Sequence, residues 1–300
     1  MLEQSTTTNI VYTELKESSI KDFITLLKPR VISLVIFTGI IGMLLAPGTI
    51  HPIIAIIAII SISLGSGAAG ALNMWYDKDI DAIMTRTKTR PIPSGKISAD
   101  EALHLGIVLS ILSVFIMAVF VNYLSAFLLA FSIFFYVVIY TIYLKRRTAQ
   151  NIVIGGAAGA FPPIIGWTAV TSSMSVEPLF LFLIIFMWTP PHFWSLALYS
   201  AEDYKKANIP MMPVIKGIKS TKNQIVIYFL FLCVSTLLPY SLQMLGMLYL
   251  IAAFILNITF ALYITLLTRD EQKYSMPCFK YSIIYLFLLF SSMILDKFYG

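Results

Sequence analysis

The sequence predicts an all-α integral membrane protein with nine transmembrane helices, its N-terminus in the cytoplasm and its C-terminus outside. Three observations support this fold class. Of the 300 residues, 58% are hydrophobic and only 12% are charged, which is too few charges for an ordinary soluble domain. Apolar runs long enough to cross a bilayer recur along the chain. Nearly all basic residues fall in alternate loops, as the positive-inside rule requires.

The nine apolar runs are the predicted spans. The first and last are short, and we expect them to extend into their flanks because helix boundaries are poorly defined by pattern alone. The spans cover, in order, residues 31–46, 53–75, 102–121, 124–144, 152–170, 179–199, 225–245, 247–267 and 281–295.

The orientation follows from lysine and arginine. With nine spans the two ends lie on opposite sides, so the flanking segments divide into two sets. One set carries 20 of the 21 basic residues, and only Lys297 lies in the other. The first set is therefore cytoplasmic. Topology accounts for the net charge of +6, and no nucleic-acid partner is expected.

The N-terminal segment, residues 1–27, is predicted to be a cytoplasmic tail before a single domain at residues 28–300. It has four acidic residues and no apolar core, which is unlike a signal peptide or a transit peptide. We therefore expect direct insertion into a bacterial plasma membrane.

Two long cytoplasmic loops hold most of the polar residues. The first begins with Asn73, Asp77 and Asp81, whose spacing places them on one helix face at a membrane surface. Ionisable groups at such a position suggest a functional site, and oxygen ligands suit Mg²⁺ bound to substrate phosphates. Asp79 points off this face at about 100° per residue and is expected to be solvated. The alternative is that these acids are only solvated or pair with lysines.

Basic residues accompany this cluster. Arg86 and Arg90 follow it directly, and arginine pairs well with phosphate oxygens. The densest basic run, Lys145 to Arg147, follows the fourth span, although topology alone explains charge there. Glu202 and Asp203 end the sixth span, so two acidic clusters on one side would hold two Mg²⁺ ions around one diphosphate. For Glu202 simple solvation is an equal alternative.

Proline pairs at 162–163 and 190–191 are expected to break or kink the fifth and sixth spans, which membrane proteins tolerate where a helix lines a cavity. His192 lies in the second pair's flank, between Trp188 and Trp194. A lone buried histidine is more often structural than a ligand, so its direct role stays open.

Taken together, these motifs resemble the UbiA-type intramembrane prenyltransferases, from about Lys28 to the last helix. The resemblance rests on Asn73-x-x-x-Asp77-x-x-x-Asp81, Arg86, Arg90, Lys145-Arg-Arg147 and Asp203. The longer strings at residues 72–81, 145–156, 188–194 and 203–213 are similar to the branch of that family that attaches a farnesyl group to haem b. One departure is Tyr199, since the wider family carries an aspartate four residues before Asp203.

The resemblance implies nine helices around a lipid-open cavity, one or two Mg²⁺ ions, a farnesyl diphosphate donor and a haem b acceptor. It also implies a place in terminal oxidase assembly, with haem A synthase or an oxidase as partner. The implied catalytic and metal residues are Asn73, Asp77, Asp81 and Asp203, with Glu202 as a further metal ligand; the diphosphate residues are Arg86, Arg90, Lys145 and Arg146, and His192 is the haem-binding candidate.

Two other functions remain open at this point. A UbiA-type enzyme acting on a quinone precursor would need a small polar acceptor pocket, whereas the proline pair and His192 favour haem. A secondary transporter also uses broken helices, but it places polar groups near mid-membrane, and here the acids cluster at one surface.

Overall fold

The computed structural model describes residues 18–300, and within them the chain is helical and contains no β-strand. The elements follow one another as α1 (Ile20–Leu26), α2 (Pro29–Leu45), α3 (Pro52–Tyr76), α4 (Lys78–Ile83), α5 (Ala99–Phe120), α6 (Tyr123–Phe134), a π-helical segment (Phe135–Leu144), α7 (Asn151–Thr171), α8 (Glu177–Tyr199), α9 (Ala201–Lys206), α10 (Met212–Ile215), α11 (Gly217–Ser241), α12 (Met247–Arg269) and α13 (Glu271–Tyr299). Residues 20–26 of the predicted tail form α1, and the rest of that prediction lies mostly outside the described residues.

The long helices correspond in place to the predicted spans. In residues 18–300, eight helices are long and apolar enough to cross a membrane, and the count reaches nine if α1 and α2, bent by 55°, form one span. The chain is therefore a multi-pass membrane protein. The last span is longer than predicted because α13 begins at Glu271, where the Asp270 carboxylate accepts a hydrogen bond from the Lys273 amide, 3.0 Å.

Local sequence signals set several helix starts. Ser98 and Glu101 form a capping box before α5: the Ser98 hydroxyl accepts from the Glu101 amide at 3.1 Å, and the Glu101 carboxylate accepts from the Ser98 amide at 2.8 Å. Asn122 caps α6 by accepting from the Ser125 amide at 2.8 Å. These caps define the residues at which α5 and α6 begin.

The proline pairs were expected to break or kink their helices; neither pair breaks its helix, since α7 and α8 each continue through theirs. The lost hydrogen bonds are partly replaced by side chains. Pro162 has no N–H for the Ala158 carbonyl, and the Ser132 hydroxyl of α6 donates to that carbonyl instead, at 3.2 Å. Glycine supports the packing there, because a side chain at Gly42 would overlap the Pro163 backbone.

Three hydrophobic cores hold the described helices together. The largest gathers α8, α11, α12 and α13, a second lies between α2, α3, α6 and α7, and a small third one joins α1, α3 and α5. Helix α8 is central because it packs on α7, α11 and α13. The apolar side chains left outside, such as Ile111, Phe115 and Phe127, face the surroundings of the bundle, as expected for contact with lipid. At one end of this bundle the two long loops meet.

Candidate active site

The first acidic cluster is buried at the inner end of α3. Helix α3 ends at Tyr76 and the short helix α4 begins at Lys78, so Asp77 occupies the junction. Asn73, Asp77 and Asp81 are 4%, 0% and 2% exposed, whereas Lys78 and Asp79 beside them are exposed. The predicted shared face therefore exists, and it points into the protein.

The π-helical segment supplies two partners of this cluster. The Asn73 side-chain amide donates to the Asp77 carboxylate at 2.8 Å and to the Thr141 hydroxyl at 3.1 Å. Lys145, directly after the segment, forms a very short ion pair with the same carboxylate oxygen of Asp77. Thr141 in turn donates to the Tyr136 carbonyl at 2.8 Å. Ten residues of π-helix next to charged groups fit the general association of π-helical turns with functional sites.

Arg146 forms a bidentate ion pair with Asp79 at the edge of the cluster. Its guanidinium donates to both carboxylate oxygens of Asp79, at 2.7 and 2.8 Å, and to the Tyr76 carbonyl at 3.0 Å. It also lies over the Tyr76 ring, 4.8 Å from the centroid. Asp79 is exposed and lies off the buried face, as predicted, and it is also paired with Arg146. The Arg146 hydrogen bonds lower the pKa of Asp79, and those of Asp79 raise the pKa of Arg146.

Lys28 is a site residue that the sequence pattern did not identify. Its ammonium nitrogen lies 2.5 Å from the Asn73 side-chain oxygen, although the two residues are 45 positions apart. The backbone of Lys28 is left-handed, with φ of 58°, at the bend between α1 and α2. That bend turns the side chain toward α3. The sequence used Lys28 only as a topological charge, and no local motif distinguishes it from other loop lysines.

The two long loops meet at Asp81, Thr85 and Asp203. Arg90 forms an ion pair with Asp81 at 2.7 Å, on the first loop itself. Asp203 on α9 accepts from the Thr85 amide at 3.1 Å and from its hydroxyl at 3.0 Å, which ties the second loop to the first. Arg86, from the same turn, lies close to Tyr204: burial raises the pKa of the Tyr204 hydroxyl and Arg86 opposes that effect.

The structure does not bring every predicted residue into the cluster. Glu202 is exposed and makes no side-chain hydrogen bond or ion pair with another residue of the 18–300 range. Within that range, no three His, Cys, Asp or Glu side chains stand close enough to hold a metal ion by themselves. The acidic side chains of the described residues therefore do not by themselves form the two Mg²⁺ sites that the sequence predicts.

The cluster nevertheless suits Mg²⁺. Oδ1 of the buried Asp77 carboxylate has no hydrogen-bond partner among the described residues. The Arg146 guanidinium is 3.7 Å away, beyond hydrogen-bond distance, so this oxygen can still accept a cation or a donor. The surrounding donors are carboxylate and amide oxygens, the kind that hard cations bind. Mg²⁺ usually takes only one or two carboxylates and completes its shell with water and substrate phosphates, so a third acid is not needed.

His192 is buried on α8, where that helix packs against α13. Its ring is stacked between Trp188 and Phe279, with centroids 4.1 and 4.5 Å away, and its Nδ1 lies 2.6 Å from the Ser282 hydroxyl. The residue is 7% exposed. Two cavities of about 580 and 450 Å³ lie elsewhere, at opposite ends of α11, and no predicted site residue lines them.

Comparison with known proteins identifies the family of the chain. Residues 35–290 match the UbiA prenyltransferase family. A protoheme IX farnesyltransferase of Ehrlichia canis is 57% identical, with 94% of this chain and 96% of that protein covered, and one of Parvibaculum lavamentivorans is 55% identical, with 94% and 90% covered.

Solved structures show the same fold. A structure of digeranylgeranylglyceryl phosphate synthase superposes with a TM-score of 0.76 at 22% identity, covering 92% of this chain and 97% of that one. A UbiA homologue from Archaeoglobus fulgidus, bound to DMAPP and Mg²⁺, gives a TM-score of 0.68 at 14% identity, covering 91% and 99%. The chain therefore belongs to the UbiA prenyltransferase family.

Proposed function

We propose that this protein transfers the farnesyl group of farnesyl diphosphate to a vinyl group of haem b and so produces haem O. The observation that carries the proposal is the buried acidic cluster at the membrane surface, ringed by Lys28, Arg90, Lys145 and Arg146. Such a ring suits a diphosphate leaving group. The acceptor follows from the relatives, which are named for farnesyl transfer to protoheme IX and align over nearly the whole chain.

In the membrane, we place this active site on the cytoplasmic face of nine spans, with α1 and α2 together forming the first. The N-terminus is then cytoplasmic and the C-terminus outside, as the distribution of basic residues favours. We assign the protein to a bacterial plasma membrane, into which it would be inserted directly. The substrates enter from the lipid, because both a farnesyl chain and a porphyrin are apolar enough to partition there.

Asp77, Asp81 and Asn73 are the residues that would hold Mg²⁺. Asp203, bound to Thr85 of the first loop, is a further candidate and Glu202 a weaker one. When bound, the metal would neutralise negative charge on the leaving diphosphate. Oδ1 of Asp77, which has no hydrogen-bond partner among the described residues, supports this assignment of the Mg²⁺ ligands. Asn73 is the least direct ligand, since its oxygen already accepts from Lys28 and its nitrogen donates to Asp77.

The basic residues bind the diphosphate and stabilise it as it leaves. The two terminal nitrogens of Arg146 pair with Asp79, and its Nε–H, which has no partner among the described residues, is free to donate to a phosphate oxygen. Lys145 is a compact charge beside it. Arg86 and Arg90 approach from the first loop. Because these charges are fixed by Asp79, Asp77 and Asp81 before the donor arrives, little reorganisation is required as charge develops on the leaving group.

The reaction breaks the allylic C–O bond, so the electron pair leaves with the diphosphate and a farnesyl cation remains. A vinyl carbon of haem b forms the new C–C bond, and the resulting cation adds water and releases a proton, giving a hydroxyethylfarnesyl group. Apolar walls around the isoprenoid delay water until the C–C bond has formed. His192 contacts the haem, through its iron or a propionate. The alternative role for His192 is purely structural, with the imidazole filling the contact between α8 and α13.

A direct assay tests this proposal. The purified protein, supplied with haem b, farnesyl diphosphate and Mg²⁺ in lipid nanodiscs, should form haem O, identified by mass after pigment extraction. A parallel reaction offers an aromatic acid acceptor in place of haem. Farnesylation of that acid with none of haem would replace this proposal with the quinone-precursor function, and no transfer to either acceptor would favour the transporter.

A further inference from the structure

The contact between α8 and α13 contains a hydrogen-bond chain that the prenyl-transfer site does not use. Nδ1 of His192 and the Ser282 hydroxyl oxygen are 2.6 Å apart, and the same hydroxyl oxygen is 2.7 Å from the Phe279 carbonyl oxygen. Both are hydrogen-bond distances. The direction of the chain can be worked out from the chemistry of its members.

A carbonyl oxygen can only accept, so the single proton of the Ser282 hydroxyl is given to Phe279. The hydroxyl oxygen then has lone pairs but no proton for its other neighbour. Nδ1 of His192 must therefore carry the proton and donate it to Ser282. In a neutral imidazole this leaves Nε2 unprotonated, as an acceptor or a metal ligand.

The position of the ring is fixed as firmly as its tautomer. The Trp188 indole N–H donates to the Ser282 carbonyl at 2.8 Å, which locks α8 to α13 at this level. Trp188 and Phe279 stack on the two ring faces at interplanar angles of 18° and 26°. The imidazole is therefore held on both faces and at Nδ1. Nε2 makes no hydrogen bond within residues 18–300, and it is the one ring nitrogen left for a substrate.

We propose that Ser282 is a positioning residue that holds His192 in the Nδ1-protonated form and leaves the Nε2 lone pair for the haem substrate. This rests on the proposed function, since it names how that function's acceptor is recognised. The arrangement has the form common to metal-bound histidines, in which the second nitrogen donates to an oxygen and thereby orients the ring. Ser282 would act through His192 and not by direct contact with a substrate.

The tautomer can be read directly because the chain has only three histidines. With ¹⁵N-labelled histidine, NMR of the wild-type protein in nanodiscs should show the His192 proton on Nδ1, with His192→Gln identifying the signal by its loss. Ser282→Ala should shift the population toward the Nε2-protonated form, and Ser282→Thr should keep the wild-type form. Finding the wild-type proton on Nε2 would overturn the proposal, even if the alanine variant did not fold.

Haem titration supplies the second measurement. Ser282→Ala should weaken haem binding about fivefold to tenfold and shift the Soret band, with the KM for farnesyl diphosphate unchanged, as expected for losing one hydrogen bond. Ser292→Ala is the matched control: Ser292 lies on the same helix, is buried, and donates to the Leu289 carbonyl at 2.7 Å, but contacts no histidine. Equal haem affinity in the two alanine variants would refute the proposal. If wild-type protein made no haem O, the proposed function would fail independently of the tautomer.

Discussion

Replacing Asp77 by asparagine separates the catalytic role of the acidic cluster from its structural role. The carboxylate is fully buried, pairs with Lys145 and accepts from the Asn73 amide. Asparagine preserves the shape and removes the charge. The variant therefore loses an anion that would bind the metal, and it also leaves the Lys145 ammonium opposite a neutral amide.

The size of the stability effect follows from the burial of the pair. Removing one partner of a fully buried ion pair costs about 3–5 kcal/mol. The Lys145 side chain keeps 15% of its surface, so water solvates part of the ammonium. We therefore expect Asp77→Asn to lose about 1–3 kcal/mol of unfolding free energy, in the range for an unsatisfied buried polar group. The double variant Asp77→Asn with Lys145→Met removes both charges and should recover most of that loss, to within about 1 kcal/mol.

Activity should not follow stability. Removing a preorganised charge of this kind typically costs about 10²–10³ in kcat, and we expect at least that loss in both the single and the double variant. Thermal unfolding in nanodiscs gives the stability, and haem O formation at limiting and saturating Mg²⁺ gives the activity. If the double variant regained prenyl transfer together with its stability, Asp77 would be only the structural partner of Lys145.

Three further substitutions test separate parts of the site. Arg146→Ala should raise the KM for farnesyl diphosphate about tenfold or more and leave haem affinity unchanged, since the guanidinium charge pairs with phosphate oxygens and not with porphyrin; unchanged donor kinetics would assign Arg146 to topology alone. Lys28→Met should release the Asn73 amide and lower kcat, while Lys21→Met, on exposed α1, should have no effect; equal activity of the two variants would exclude Lys28 from the site. His192→Ala should weaken haem binding and shift the Soret band, and an unaltered titration would leave His192 as a structural residue.

The spans were predictable because the bilayer imposes a pattern on every one of them. Each needs a long apolar run, and each cytoplasmic flank needs positive charge, so the pattern survives without knowledge of packing. The sequence could not decide between a break and a continuous helix at the proline pairs 162–163 and 190–191, because the outcome depends on the surrounding helices. The Ser132 hydroxyl that satisfies the Ala158 carbonyl lies on another helix, and nothing near Pro162 in the sequence indicates it.

The same distinction separates the site residues that sequence found from those it missed. The shared face of Asn73, Asp77 and Asp81 was predictable because spacing by four keeps residues on one side, here across the junction of α3 and α4. The hydrogen bond from Lys28 to Asn73 and that from His192 to Ser282 join residues 45 and 90 positions apart, and both depend on how helices pack.

The structure also changes how Asp79 and Arg146 are interpreted. From sequence, Asp79 is an exposed acid on the wrong face, and Arg146 is one cation in a basic run. In the structure they form a single unit, because two hydrogen bonds to Asp79, one to the Tyr76 carbonyl and the Tyr76 ring fix the guanidinium beside Asp77. An arginine held by three groups loses little freedom when phosphate arrives, whereas a mobile one would have to be ordered at that moment. Asp79 therefore orients Arg146 beside Asp77, and it does so while remaining exposed itself.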